Sequence, residues 1–211
     1  MSVNEGSAEL DGFYPFLSEV AAMRRRARSH IEAVGAAAEL SPQHPIVLQL
    51  LNEALATELV CVSHYRNRCV SVAGALAASV REEFHKYAQE EQGHADRLAD
   101  RILQLGGEPN RDVPVLPSET AAPVEALEPE ALVDLLEEDL IAERIAIESY
   151  REILQFVGAR DLRTRELLEA ILAVEIAHAQ ELAAMRSELL RRDRLLGSTS
   201  TSLPTLDLQC A

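Results

Sequence analysis

Two Glu-x-x-His pairs, Glu91-Gln92-Gly93-His94 and Glu175-Ile176-Ala177-His178, constrain this chain more than any other feature. A lone glutamate precedes each: Glu58 lies 33 residues before Glu91, and Glu143 lies 32 before Glu175. A tyrosine follows each lone glutamate by seven residues, Tyr65 and Tyr150. The chain therefore states one half-site twice. A spacing of three puts both members of a pair on one helix face, within reach of a shared ion. Four glutamates and two histidines on four helices suit a carboxylate-bridged pair of metal ions.

The positions of these residues sharpen that reading. Glu58, Glu91, Glu143 and Glu175 each fall mid-helix, inside an apolar stripe. An ionised carboxylate buried without a partner is costly, so buried charges are paired or bind metal. Four converging carboxylates repel, and some take up protons; two divalent cations cancel them. The bland alternative is a bundle with core ion pairs, and chance alone supplies under one Glu-x-x-His. A third pair, Glu82 with His85, lies nine residues before Glu91, on the opposite side of its helix. We expect it at the surface. Mixed carboxylate and imidazole donors suit iron, manganese or zinc better than magnesium or calcium.

Charge and composition exclude several classes. The 211 residues carry a net charge of -15, which opposes non-specific binding to nucleic acid or anionic membrane. No apolar run is read as a membrane span, and the N-terminus lacks the order of a secretory signal. Cys61, Cys69 and Cys210 are an odd number without ligand spacing, which fits free thiols in a cytoplasmic protein.

Periodicity predicts an all-α fold. Residues 1–40 form an N-terminal extension with a helix over 16–38 and a basic run, Arg24 to Arg28. Residues 41–195 form a four-helix bundle, and 196–211 a disordered tail. Within the bundle, helices run to about Val72, from about Ser79 to Leu105, from Pro129 to Val157, and from Leu162 to Leu195. Gly74, Gly106-Gly107 and Gly158 separate them. The segment 106–128 holds four prolines and cannot be one helix. It is long enough to cross the full bundle. The two hairpins also match each other at offsets of 84–85, which suggests duplication.

Several segments resemble the ferritin-like family, and within it the bacterioferritin branch. They are LNEALATELVCVSHY, EEQGHADRLADRILQLGGEPN, DLIAERIAIESYREI and LLEAILAVEIAHAQEL. The resemblance covers about residues 45–190 and fills all six ligand positions. It implies that Glu91 and Glu175 bridge two iron ions, with Glu58 and Glu143 terminal and His94 and His178 giving one nitrogen each. It further implies oxidation of Fe(II) by dioxygen or peroxide and storage of Fe(III) in a hollow homo-oligomer. A non-storing dimetal oxidase, peroxidase or manganese catalase-like enzyme is the alternative, and a DNA-protecting miniferritin is a third.

Three departures modify this. The position that holds a haem-binding methionine in bacterioferritin is Gln92 here, so no haem is expected. The N-terminal extension is long. No fifth helix follows the fourth, which favours twelve subunits over 24. Tyr65 and Tyr150 are expected near the site, as hydrogen-bond donors to a ligand or as electron donors. Asp139, one turn before Glu143, is a candidate for orienting a ligand histidine. Cys61 and Cys69 read as small buried residues. The arginine run is a weak candidate for DNA contact.

Overall fold

The computed structural model describes residues 15–34, 45–71, 77–112 and 129–199. They form five helices: α1 (Pro15–Val34), α2 (Pro45–Ser71), α3 (Ala77–Gln104), α4 (Pro129–Val157) and α5 (Leu162–Thr199). No strand occurs among the described residues. The chain is all-α, as its periodicity predicts. Gly74, most of the crossover, the first 14 residues and the end of the tail lie outside the described residues.

Local chemistry sets the helix ends. Proline opens α2, where a missing amide hydrogen costs nothing. At the end of α3, Gly106 takes φ +81°, and the Gly107 amide donates to the Ile102 carbonyl at 2.9 Å. Gly158 ends α4 in the same left-handed region, at φ +58°. Such a conformation suits glycine, which has no Cβ. Asp161 caps α5 by accepting from the Thr164 amide at 3.2 Å, which satisfies a free donor of the first turn. Arg101 of α3 clamps the same carboxylate at 2.7 and 2.9 Å. The helix α5 continues four residues past the predicted Leu195. One glycine, Gly197, costs a helix only about 1 kcal/mol and does not break it.

α2 pairs with α3 and α4 with α5, and α1 lies across α2 and α4. α1 buries Phe16, Leu17, Val20, Met23 and Ala27 in that seam. The basic run ties it down further: Arg24 meets Glu152 of α4 at 2.7 Å, and Arg26 meets Glu53 of α2 at 2.9 Å. By length and composition α2 is apolar enough to cross a membrane, against the reading of the sequence. Here it is a central bundle helix, packed on α3 and α1.

The apolar core divides in two. One cluster contains Tyr65, Phe84, Tyr87, Leu136 and Leu182; the other contains Leu51, Leu98, Ile102, Ile153 and Leu168. On each bundle helix the boundary between clusters falls at a ligand-type residue. A buried leucine contributes about 1.5–3 kcal/mol. Two such clusters offset the cost of a polar layer held between them.

Candidate metal centre

Four helices deliver six side chains to that layer. Glu58 comes from α2, Glu91 and His94 from α3, Glu143 from α4, and Glu175 and His178 from α5, all buried. They fall into two groups whose donor atoms lie within 4.8 Å of one another. Glu58, Glu91, His94 and Glu175 form one; Glu91, Glu143, Glu175 and His178 form the other. Glu91 and Glu175 belong to both. The sequence proposed the same six residues, and the fold brings all of them together.

The donors fit cations better than they fit each other. His94 Nδ1 lies 3.0 Å from Glu58 Oε2, 3.2 Å from Glu91 Oε2 and 2.8 Å from Glu175 Oε1. One ring nitrogen carries one proton, which cannot serve three carboxylate oxygens. Glu91 Oε1, Glu175 Oε1 and His178 Nδ1 are buried with no hydrogen-bond partner. His178 Nδ1 does lie 3.3 Å from Glu91 Oε1, but without the direction a hydrogen bond requires. A cation between these atoms satisfies them at once. The carboxylate-and-imidazole set suits iron, manganese or zinc.

Without metal, protons take the cations' place. Burial pushes the Glu58 carboxyl up, and the charges of Glu91 and Glu175 push it further. Glu143 is raised by burial and by the same two neighbours, Glu175 before Glu91. Burial acts to raise Glu91 as well, but the nearby imidazoles of His178 and His94 outweigh it and hold it low. Burial lowers an imidazole, yet the surrounding carboxylates, Glu175 foremost, win at both histidines. His94 is pushed up to about 12 and His178 to about 11.

Each tyrosine serves the opposite half. Tyr65 donates to Glu143 Oε1 and Tyr150 to Glu58 Oε1. The repeat in the sequence thus closes as a reciprocal pair in space. Removing the hydroxyl in Tyr65→Phe or Tyr150→Phe strips a buried carboxyl of its partner, at about 1–3 kcal/mol. Melting temperatures should fall by roughly 3–8 °C. Two variants that melt with the wild type would contradict these bonds.

Several residues behave differently from their sequence reading. Asp139 does not orient a candidate ligand histidine; its Oδ1 meets His64 at 2.6 Å and Arg68 at 3.3 Å. The helical turn that separates it from Glu143 aims it at α2 instead. The carboxylate that does hold such a histidine is Glu90, 2.8 Å from His178 Nε2. Sequence reasoning missed it, because a contact between α3 and α5 leaves no local spacing. Its position beside Glu91 was the one available signal. Glu82 and His85 are exposed, as expected. Cys61 is buried, and burial followed by the nearby glutamates pushes its thiol pKa up. Cys69 is half-buried, and Cys210 lies outside the described residues. Gln92 contacts Arg66 at 3.4 Å and Asp96 at 3.3 Å.

Comparison with known proteins gives the class. Residues 48–191 match the family described as a ferritin-like domain. The chain belongs to the ferritin-like family. It is 33% identical over 134 residues to the DNA protection during starvation protein of Pyrococcus furiosus, covering 63% of this chain and 72% of that one. It is 31% identical over 137 residues to the bacterioferritin of Desulfovibrio desulfuricans, covering 63% and 69%. Among solved structures it resembles a dodecameric thioferritin, the bacterioferritin-related protein from Bacteroides fragilis. That match has a TM-score of 0.59 at 27% identity, over 83% of this chain and 95% of the other. The Rhodobacter capsulatus bacterioferritin, solved with a metal-free dinuclear site and haem iron, matches with a TM-score of 0.55 at 27% identity. That match covers 77% of this chain and 96% of the other.

Proposed function

We propose that this chain is a ferroxidase that oxidises Fe(II) at a dinuclear site within one subunit and stores Fe(III) in a homo-oligomeric cage. The observation that carries the reading is the sharing of Glu91 and Glu175 by both donor groups. In this reading Glu91 and Glu175 would be shared by the two ions. Glu58 with His94 completes one position, and Glu143 with His178 the other. When bound, the two ions supply electrons to dioxygen or peroxide. The chain's own residues hold the geometry. Glu90 on Nε2 of His178 leaves Nδ1 facing the site, as an outer partner of a metal-binding imidazole does. Tyr65 and Tyr150 fix the terminal carboxylates and stand close enough to act as electron donors. Burial keeps bulk water away.

The dodecameric thioferritin, to which the chain is similar, supports a homo-oligomer of twelve subunits over one of 24. We place the protein in the cytoplasm, consistent with thiols such as Cys61. Gel filtration before and after aerobic Fe(II) loading tests the storage half of the reading. A species of hundreds of kilodaltons that retains iron is expected. A small oligomer that oxidises Fe(II) and releases it would favour a non-storing dimetal oxidase or peroxidase.

Haem is not expected. Gln92 stands where the resembling branch has methionine, and an amide is a poor axial ligand for haem iron. Protein expressed with ample haem should show no Soret band. A stoichiometric bis-ligated haem spectrum would overturn this.

A further inference from the structure

The two halves of the site match in their candidate ligands and differ in what surrounds them. At the Tyr65–Glu143 end, Asp139 is wholly buried. Its Oδ1 lies 2.6 Å from His64 Nε2 and 3.3 Å from Arg68 Nη2. Arg68 Nη2 also reaches Glu138 Oε2 at 2.5 Å. Phe16 of α1 stacks on the His64 ring, with centroids 3.4 Å apart and planes 8° from parallel. Burial holds His64 below its usual pKa, so the ring is neutral. Asp139 can only accept, so the ring proton sits on Nε2. Arg68 Nε, 3.1 Å from that nitrogen, then donates to Asp139 at 3.4 Å instead.

The matching positions of the other half, 85 residues away, are Ala54 for Asp139, Ser149 for His64 and Ile153 for Arg68. Ala54 and Ile153 are buried. The positions matching Asp139, His64 and Arg68 beside the Tyr150–Glu58 end therefore carry no charge. Apolar closure is commonly as stable as a buried ion pair or more so. Asp139 also leaves Oδ2 buried and unpartnered, which adds a cost. Packing alone does not call for this network.

We infer that Asp139, acting through His64 and Arg68, is a positioning residue that makes the two metal positions unequal. Two links carry the effect. His64 immediately precedes Tyr65, which holds Glu143. Asp139 lies one turn before Glu143 on α4. Among the described residues, Asp139 and Glu138 against Arg68 leave one net negative charge on this side. On the other, Glu53, which matches Glu138, is offset by Arg26 at 2.9 Å, and Ala54, Ser149 and Ile153 carry no charge. The ion held by Glu91, Glu143, Glu175 and His178 is therefore the tighter of the two. The ligand class is a divalent transition cation, and the inference rests on the dinuclear reading above.

Cobalt(II) titration of the metal-stripped full chain, followed by its visible absorption, tests this. The wild type should bind two ions in two resolved steps. Asp139→Ala should weaken the tighter step roughly tenfold, at the low end of what an outer partner of a metal site contributes, and leave the other step unchanged. Asp139→Asn keeps the shape and an acceptor for His64. It should move the same step by less, and it decides the matter if the alanine variant fails to fold. Ser149→Ala, at the matching position, should move neither step. Two equal steps in the wild type would overturn the inference, as would Asp139 variants that shift both steps together or neither. Fewer than two ions in the wild type would overturn the dinuclear reading itself and this inference with it.

Discussion

Replacing Glu91 or Glu175 with alanine should abolish rapid Fe(II) oxidation while the fold survives. Each of these residues belongs to both donor groups, so its loss damages two metal positions at once. Losing even an outer partner of a metal site costs about 10–100-fold. Losing a bridge should cost at least the upper end of that range, about 100-fold in initial rate. The fold should survive, because the apolar clusters on either side of the site carry the packing. Removing Glu91 or Glu175 relieves Glu58 and Glu143, which burial and then these two charges push up, and this offsets part of the lost counter-charge to His94 and His178. Stopped-flow oxidation and thermal melts of the metal-free variants measure the two effects separately. Wild-type initial rates in both variants would sink the dinuclear assignment.

The second large effect is on pH. In the metal-free protein His94 is raised to about 12 and His178 to about 11. A raised group stabilises the fold fully below its unfolded pKa, near 6.5 for histidine. That contribution is lost as pH climbs through the folded value. Glu58 and Glu143 are raised as well, so they act in the same direction from about pH 4.5 upward. Glu91 is lowered and has the opposite sign, but its window lies below about pH 4.5. Between pH 6 and 9 the metal-free protein should therefore lose stability, with its melting temperature falling by about 4 °C or more. The metal-bound protein carries the same surface charge, so the difference between the two forms isolates the site. Metal binding displaces these protons, so affinity should rise about tenfold per pH unit for each proton released. The shared carboxylates around each imidazole extend this dependence well above the usual histidine range near pH 6.5. A metal-free melting temperature that stays flat or rises from pH 6 to 9 would contradict these shifts.

Much of the architecture was legible in the sequence because two strong signals coincide. Helical periodicity carried the apolar stripes, and residues such as Leu51, Leu55, Leu98, Ile102 and Leu136 are indeed buried. The polar interruptions of those stripes carried the site, because a carboxylate placed mid-stripe is costly unless a partner or a cation meets it. The decoy pair at Glu82 and His85 was separable by helix phase alone. What stayed hidden was contact between helices. The crossed bonds Tyr65–Glu143 and Tyr150–Glu58 span 78 and 92 residues. The link from Glu90 to His178 spans 88. Spacing along one helix says nothing about which neighbour a side chain will meet. For that reason Glu90, and not Asp139, turns out to hold a ligand-type histidine. The packing of α1 into the α2–α4 seam was equally out of reach, although a helix over residues 16–38 was predicted; its buried stripe is Phe16, Val20, Met23 and Ala27.

Two Fe(II) ions should occupy each subunit and be oxidised together. Anaerobic equilibrium binding of Fe(II) to the metal-stripped protein at pH 7, followed by a pulse of dioxygen, tests it directly. Two ions per chain should bind before the pulse, and both should be lost as Fe(II) in a single fast phase. One ion per chain, or two that are oxidised independently at different rates, would contradict it.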